Sequence, residues 1–309
     1  MSIFDDLSQL RAFVSIVEAG SISAAARALH TTQPTLSRQL SAFEARCGAA
    51  LLRRDTHRMH LTDTGHRVLA DARAILALAE ESEQRLNNEQ GAIEGKIRLF
   101  ATIDFGQSVV SRLIASFIQA YPGVTIELAY SNRPLHMIEE GCDAGIIAGA
   151  LSDDSVVARS LGQIARHVVA APAFLKDRKP ARKPQDIEAW PWMVLPDRRF
   201  GGSPEIVLHG LGGETQTLHV KPVMVSEGVT SLREAARMGL GVTVLPTWLA
   251  EEDVVSGRLV RVLPKWLGEE IPAHIVYPAP RHLPTRVRVF IDYAMEYMGV
   301  QLKGGGYIE

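Results

Sequence analysis

The chain has 309 residues, with 33 Lys+Arg against 35 Asp+Glu, 46% hydrophobic and 22% charged side chains, enough apolar material for about two packed domains and without the polarity of a disordered chain or the surplus of a uniformly basic nucleic-acid coat. Two cysteines, Cys47 and Cys142, exclude a disulfide framework or a zinc site of paired CxxC units, and no run approaches the roughly 18 apolar residues of a membrane span. The start, MSIFDDLSQLRAF, has neither the basic region nor the apolar core of a secretory signal, so a reducing, cytoplasmic setting without membrane contact is expected.

Three helices open the chain. Leu7, Leu10, Val14 and Val17 recur at helical spacing until Gly20 stops the first helix. Ser21 caps a short second helix, whose Ala24, Ala25 and Ala28 let a neighbour approach closely. Thr32 caps the third, Pro34 fits its first turn, and Gly48 follows its end at Cys47. On that helix Leu36, Leu40, Phe43 and Cys47 make one apolar stripe, and Gln33, Pro34, Ser37, Arg38 and Ser41 make the opposite, polar face. LLRRDTHRMHLTDTG then predicts two strand-like pieces around a turn at Asp55–His57, a small hairpin or wing. Thr62 or Asp63 caps a long helix over 64–89, whose seam of Val68, Ala72, Ile75, Ala79, Ser82 and Leu86 suits a coiled-coil-like partner. NNEQGAIEG, ending at Gly95, reads as a hinge.

From Lys96 short apolar strands alternate with helical patterns. KIRLFAT, VTIELAY, DAGIIAG, RHVVAAP, GVTVLP and AHIVYP are the expected strands; Ser108–Ala120, Pro134–Glu140, Val229–Met238 and Pro284–Tyr297 are the expected helices. This alternation predicts a mainly parallel α/β fold in two linked lobes. The last helix places Val287, Phe290, Ile291, Ala294 and Met298 on one face, which packs back on the first lobe, and a fraying tail starts at Gly304.

The helical opening reads as a helix-turn-helix whose third helix enters a DNA major groove. There Arg38 suits a guanine and Gln33 an adenine, while the hydroxyls of Thr31, Thr32 and Ser37 suit phosphates or bases. Between Arg27 and Arg58 six arginines stand against Glu44 and Asp55, a local surplus of +4 inside a total of -2. A polar helix face with some arginine is by itself ordinary solvated surface; the wing and the partner helix beside it are what turn this one toward DNA.

From Leu7 to Gly65 these residues closely resemble the N-terminal signature of LysR-type transcriptional regulators: Gly-Ser, paired Ala, Thr-Gln-Pro, Leu-Ser-Arg-Gln-Leu and Leu-Thr-x-x-Gly in order. YPGVTIEL, EEGCDAGI, SLGQIARHVVAAPAFL, ARMGLGVTVLP and RHLPTRVRVFIDYAMEYM extend the resemblance more loosely over almost the whole chain. It implies an α/β chain with an all-α winged helix-turn-helix over 1–63, a dimerising linker helix over 64–89, a hinge over 90–95 and an effector domain over 96–303. That domain is similar to periplasmic binding proteins, with lobe I over about 96–162 and 265–303 and lobe II over about 163–264. Carried over by position, Gln33, Pro34, Ser37 and Arg38 contact bases, and Thr31, Thr32, Arg53 and Arg54 contact the backbone.

The resemblance also puts an effector pocket between the lobes, near crossings at Gly162 and Pro264, with Thr102, Asp104, Phe105, Ser131, Asn132, Phe200, Ser226, Glu227 and Thr247 as candidates. Where relatives often carry an arginine, near 147–148, this chain has Ile147 and Ala148, so an effector carboxylate would need another donor: Thr102, Ser131, Arg133, Arg198 or a helix start. Leu52 replaces a common Phe in the wing and keeps its apolar character.

Other chemistry finds little footing. GAIEGK is one residue short of a phosphate loop, GLGVTV lacks the third glycine of a dinucleotide turn, and no HExxH or GxSxG is present. No cofactor or metal is expected, and a redox role for the two cysteines is not favoured. The expected function is effector-modulated, sequence-specific binding of promoter DNA by a homodimer, which the resemblance implies is assembled into a homotetramer, with RNA polymerase a possible further partner. The alternative is a cytosolic small-molecule-binding protein or enzyme on the same α/β domain, using its N-terminal helices only for assembly.

Overall fold

The computed structural model describes residues 3–54, 59–87, 93–132, 141–151, 156–196, 205–278 and 283–303. The expected turn at Asp55–His57, the expected helix at Pro134–Glu140, the middle of the hinge and the tail from Gly304 lie outside them. Helices α1 (Leu7–Ala19), α2 (Ile22–Ala28) and α3 (Gln33–Cys47) carry the expected caps. Ser21 accepts from the Ala24 N–H, Thr32 from the Thr35 N–H, and Gly20 and Gly48 end their helices in the left-handed conformation at φ 66°. Their core is built on Leu10, Phe13, Ile16, Leu36 and Phe43, all fully buried, with the Phe13 and Phe43 rings 5.7 Å apart.

Strands β1 (Leu52–Arg54) and β2 (Met59–Leu61) pair antiparallel, with Arg53 opposite His60. Helix α4 (Asp63–Asn87) follows at once. Of the two possible caps, Thr62 is the one used: its hydroxyl accepts from the Gly65 N–H at 2.9 Å and donates to the Ala50 carbonyl at 2.8 Å. A Cβ on Gly65 would lie 2.1 Å from the Leu51 carbonyl oxygen, so the helix can start against the wing only with glycine here. Glu44 ties the same corner from α3, accepting the N–H groups of Leu51 and Leu52 at 2.8 and 3.1 Å.

The expected seam of α4 divides. Ala72 is fully buried with Leu69 and Leu76 in the N-terminal core, and Val68 and Ile75 pack on the same cluster, so this half of the seam covers its own domain. Leu78, off the expected seam, is the apolar side chain left 41% exposed.

In the effector region a central sheet contains β3 (Gly95–Ala101), β4 (Val124–Tyr130), β5 (Ala144–Ala148), β6 (Val156–Ala170), β11 (Thr243–Pro246) and β13 (Trp266–Pro278), in the order β11-β6-β13-β5-β3-β4. Strand β12 (Val260–Arg261) pairs with β6, and the hairpin of β8 (Glu205–Gly210) and β9 (Thr215–His219) continues from β13. Strands β7 (Trp192–Val194) and β10 (Pro222–Val225) form a separate parallel pair.

The sheet is mixed rather than mainly parallel. β3 runs parallel to β4 and β5, but β6 and β13 are antiparallel to each other along nearly their whole length, and β13 is antiparallel to β5. These two strands are long because both lobes use them. The N-terminal half of β6 and the C-terminal half of β13 belong to lobe I and the other halves to lobe II, and the register shifts between Gly268 and Ile271 and again between Ala273 and His274. Gly162, at φ 133°, marks the crossing on β6; Pro264 precedes β13, whose own crossing is at the register shifts.

Helix α5 starts as one α-turn (Ile103–Phe105), widens into a π segment (Gly106–Val110) and continues as Ser111–Ala120. Together with the last helix it covers lobe I. Helices α6 (Val229–Arg237) and α7 (Thr247–Val255) cover lobe II, and α8 (Thr285–Lys303) returns to lobe I. The five expected face residues of α8, from Val287 to Met298, are all at most 2% exposed, packed with Ile97, Leu99 and Phe117. Of these, Val287, Phe290, Ile291 and Met298 each contribute about 1.5–3 kcal/mol by burial.

Asp253 on α7 is fully buried and gathers Arg233 and Arg237 from α6 and Arg258 from the following turn, at 2.5, 2.6 and 2.6 Å. Burial opposes its charge, but the three guanidinium hydrogen bonds outweigh that and hold the carboxyl below the usual range. The N-terminal domain is tied to lobe I in a similar way. Glu18 on α1 accepts from both terminal nitrogens of Arg98 on β3 and from Arg73 on α4, and Arg98 also donates to Glu127 at 3.1 Å. These bonds raise the Arg98 pKa, Glu18 contributing most.

Two outcomes follow from this packing. Gly65→Ala loses about 1–3 kcal/mol of stability in urea denaturation despite alanine's better helix propensity, and an unchanged midpoint would remove the close approach at Leu51. Asp253→Asn costs on the order of 3 kcal/mol at neutral pH, because it leaves clustered arginines without their counter-charge. Since the folded carboxyl titrates below the unfolded one, the wild-type advantage is complete above about pH 5 and shrinks as the pH falls through the folded value. An advantage that persisted undiminished at pH 2 would contradict this sign.

Candidate nucleic-acid interface and interlobe cleft

Helix α3 separates its faces sharply. Leu36 and Phe43 are fully buried and Leu40 is 5% exposed, whereas Thr32, Gln33, Pro34 and Arg38 are exposed and Thr31 and Ser37 half-buried. The Arg38 Nε lies 3.4 Å from the Pro34 carbonyl, one turn back, which lays the guanidinium along the helix start. The Thr32 and Thr35 hydroxyls are 2.9 Å apart beside the cap. His30, at φ 51°, makes the left-handed turn between α2 and α3 that sets the angle of α3 to its neighbour.

Arg53 and its cross-strand neighbour His60 are exposed on the wing. Arg54 is in register with Met59, and its side chain lies outside the described residues, as do Asp55 and Arg58. Not every arginine of the basic stretch is free for phosphate: Arg46 donates to Gln9 at 3.1 Å and braces α3 against α1. Polar face and wing arginine together offer planar, bidentate donors for base edges and a point of positive charge for the backbone.

Between the lobes lies a cleft with about 400 Å³ of empty space, its open mouth included. It is lined by Thr102, Asp104, Phe105, Asn132 and Ala148 from lobe I, Ile164 and Ile271 from the crossing strands, and Leu195, Glu227, Val229, Pro246 and Trp248 from lobe II. The walls meet at the C-terminal ends of β3, β5, β7 and β11, where open α/β sheets hold ligands.

Among the described residues, polar and aromatic contacts bridge the lobes. Asp104 accepts the N–H groups of Val229 and Thr230 at 3.0 and 3.3 Å, Asn132 donates to the Glu227 carbonyl at 3.2 Å, and the Phe105 and Trp248 rings stand 5.9 Å apart. Asn132 is itself held by the Ile103 N–H at 3.0 Å. The Thr102 hydroxyl accepts from the Ala148 N–H at 3.2 Å.

Of the sequence-expected pocket residues, Thr102, Asp104, Phe105, Asn132 and Glu227 therefore line one cavity. Ser131, Ser226 and Thr247 are not in its lining. The Ser226 hydroxyl turns back onto Gly228, and the Thr247 hydroxyl donates to the Ala165 carbonyl on β6, so both shape the walls from behind. Phe200, Arg133 and Arg198 lie outside the described residues. Sequence reasoning missed the apolar wall, Trp248 above all. Its position two residues after Pro246, at a strand end, was the available signal.

Among the described residues no group of three or more His, Cys, Asp or Glu is placed to hold a metal, and no helix is long and apolar enough to cross a membrane. Cys47 and Cys142 are both half-buried, and burial pushes the Cys47 thiol up, away from the reactive thiolate.

Both parts of the chain match known families. Residues 7–66 match the model of the bacterial regulatory helix-turn-helix protein, lysR family, and residues 90–299 match that of the LysR substrate binding domain. The HTH-type transcriptional regulator PtxR of Pseudomonas aeruginosa is 30% identical over 95% of this chain and 93% of its own length. Among solved structures, the full-length Vibrio cholerae virulence activator AphB is 24% identical, with a TM-score of 0.59 over 95% of this chain and 99% of that one. CrgA, a LysR-type transcriptional regulator from Neisseria meningitidis, is likewise 24% identical, with a TM-score of 0.59 over 94% and 98%. With both family models matched in order along its length, the chain belongs to the LysR family of bacterial transcriptional regulators, a helix-turn-helix DNA-binding domain followed by an effector-binding domain.

Proposed function

We propose that this regulator reads promoter DNA with Gln33, Pro34, Ser37 and Arg38 on base edges and holds the phosphate backbone with Thr31, Thr32, Arg53 and Arg54. The observation that carries the reading is the division of α3: its apolar stripe is buried while Gln33, Pro34 and Arg38 stand exposed at its N-terminal end, the end that meets base edges in a helix-turn-helix. Two copies joined through the linker helix read an interrupted inverted repeat, with recognition helices about 34 Å apart or a multiple of that. The exposed Leu78 on α4, outside the chain's own core, supports that surface. Two such dimers form the working tetramer, in the cytoplasm, within reach of RNA polymerase at the promoter. The functional division is a DNA-binding domain over 1–63, a linker over 64–89, a hinge over 90–95 and an effector domain over 96–303.

The effector is a small molecule bound in the interlobe cleft against Thr102, Asp104, Phe105, Asn132 and Glu227, with Ser131, Phe200, Ser226 and Thr247 around it. Binding there changes regulation through a difference in affinity between two arrangements of the lobes. Family membership sets aside the alternative of an enzyme on the same α/β domain.

DNA binding measured at several salt concentrations, on fragments selected by the wild-type protein and on random fragments, tests the residue roles. Arg38→Ala costs about 1–3 kcal/mol of preference for the selected fragments. Arg53→Ala weakens binding on all sequences and flattens the salt slope by roughly one unit. If either change left both quantities as they are, that residue's role would be lost. Leu78→Glu lowers the mass measured by light scattering by placing a charge in the linker contact; an unchanged mass would move the dimer surface elsewhere.

A further inference from the structure

Helix α6 begins at the cleft with no cap of its own. Its N-cap residue, Gly228, has no side chain, and the N–H groups of Val229 and Thr230 donate instead to the two oxygens of Asp104 in the opposite lobe. A helix N-terminus carries roughly half a positive charge and exposed donors, which suits it to a ligand's carboxylate or phosphate. In this chain a carboxylate of its own fills that place.

We propose that the cleft selects uncharged small molecules and turns anions away, with Asp104 as the built-in anion that joins the lobes; this rests on the reading of the cleft as the effector site. The rest of the lining agrees in charge. Among the described lining residues there is no lysine, arginine or histidine. Ala148, at the end of β5 where a longer basic side chain would reach the cavity, carries no charge. Thr102 supplies one neutral donor: its oxygen accepts from the Ala148 N–H, which leaves its proton for a ligand's carbonyl or hydroxyl oxygen. Phe105 and Trp248 give that ligand an apolar body to lie against.

An ionised carboxylate entering here would exchange its water for apolar walls, the Thr102 hydroxyl and the like charge of Asp104, a combination that rejects a ligand strongly. A neutral molecule of the same shape meets a far smaller desolvation cost and no like-charge repulsion, and leaves the Asp104 bridge in place. Ligand binding then adds contacts to a closed cleft instead of competing for the bond that closes it.

Three probes of nearly one shape separate the charges: benzamide, benzoate and benzamidine, titrated into the full chain. The indole N–H signal of Trp248, assigned by its loss in Trp248→Phe, reports occupancy of the cleft. In the wild type benzamide shifts that signal, and benzoate binds at least about tenfold more weakly. Asp104→Asn, which removes the charge and releases a helix N–H, brings benzoate to within a few-fold of benzamide, while Asp104→Glu, which keeps the charge, still rejects benzoate. Benzoate binding the wild type as well as benzamide does, a gap that Asp104→Asn leaves unchanged, or benzamidine outranking benzamide by tenfold would each overturn selection for uncharged ligands while keeping the cleft as a binding site. If no probe moved the Trp248 signal in the wild type or in either Asp104 variant, the reading of the cleft as the effector site would itself fall, and this inference with it.

Discussion

The antiparallel pairing of β6 and β13 is the constraint on which the effector domain depends. Two strands of 15 and 13 residues run through both lobes, so each lobe's sheet is an extension of the same hydrogen-bonded ladder. The register of the ladder shifts at two places, between Gly268 and Ile271 and between Ala273 and His274, and Gly162, opposite Ala273, takes a backbone conformation that favours glycine. A ladder holds its two halves in one twist and distance, and the shift in register is where they can change angle. The cleft opens beside this point, with Ile164 and Ile271 from the two strands forming part of its wall.

What holds the lobes at their observed closure is polar and local. Asp104 caps α6 across the gap, and Asn132 reaches the carbonyl of Glu227 just before that helix. Helix α6 is itself anchored from behind, because Arg233 and Arg237 both end on the buried Asp253 of α7. A pull on the cap is therefore a pull on a helix bonded to the body of lobe II. The Phe105–Trp248 contact adds an apolar bridge without charge.

The sequence made the N-terminal domain and the last helix legible because their information is local. Thr32, Pro34 and Gly48 fix the ends of α3, and its apolar stripe repeats with the helical period; the same holds for the face from Val287 to Met298 on α8. The mixed sheet was not legible in that way. RHVVAAP and AHIVYP show only one end each of β6 and β13, since VVARSLGQ and WLGEEIP alternate half-exposed and polar positions and carry no apolar run. Helix α7 was missed because Asp253 sits at a core position and breaks the apolar pattern, and the arginines that make it tolerable come from α6 and a later turn. Asp104 could be placed in a pocket loop, but its partners lie 125 and 126 residues away, and no local pattern announces a cap supplied from another lobe. Glu18 and Glu44 were passed over for the same reason: each is an ordinary acidic side chain until the fold brings its donors to it.

Strand β3 joins these pieces. From its middle Arg98 donates to Glu18 of the DNA-binding domain, and just past its end Thr102 and Asp104 line the cleft, so one short stretch of chain runs from the N-terminal domain to the cleft. Contact alone transmits nothing; coupling requires that closure of the cleft and docking of the N-terminal domain each have two arrangements whose energies depend on one another. The electrostatics favour such dependence at one end. Glu18 is shared between Arg98 of lobe I and Arg73 of α4, while Arg98 is shared between Glu18 and Glu127, so a small displacement of β3 redistributes charged hydrogen bonds among four partners instead of stretching one. Three residues past the strand's end Asp104 is bonded to α6 of lobe II. The stretch from Arg98 to Asp104 thus holds one bond to the DNA-binding domain and one across the cleft, the contacts that any coupling between the two would use.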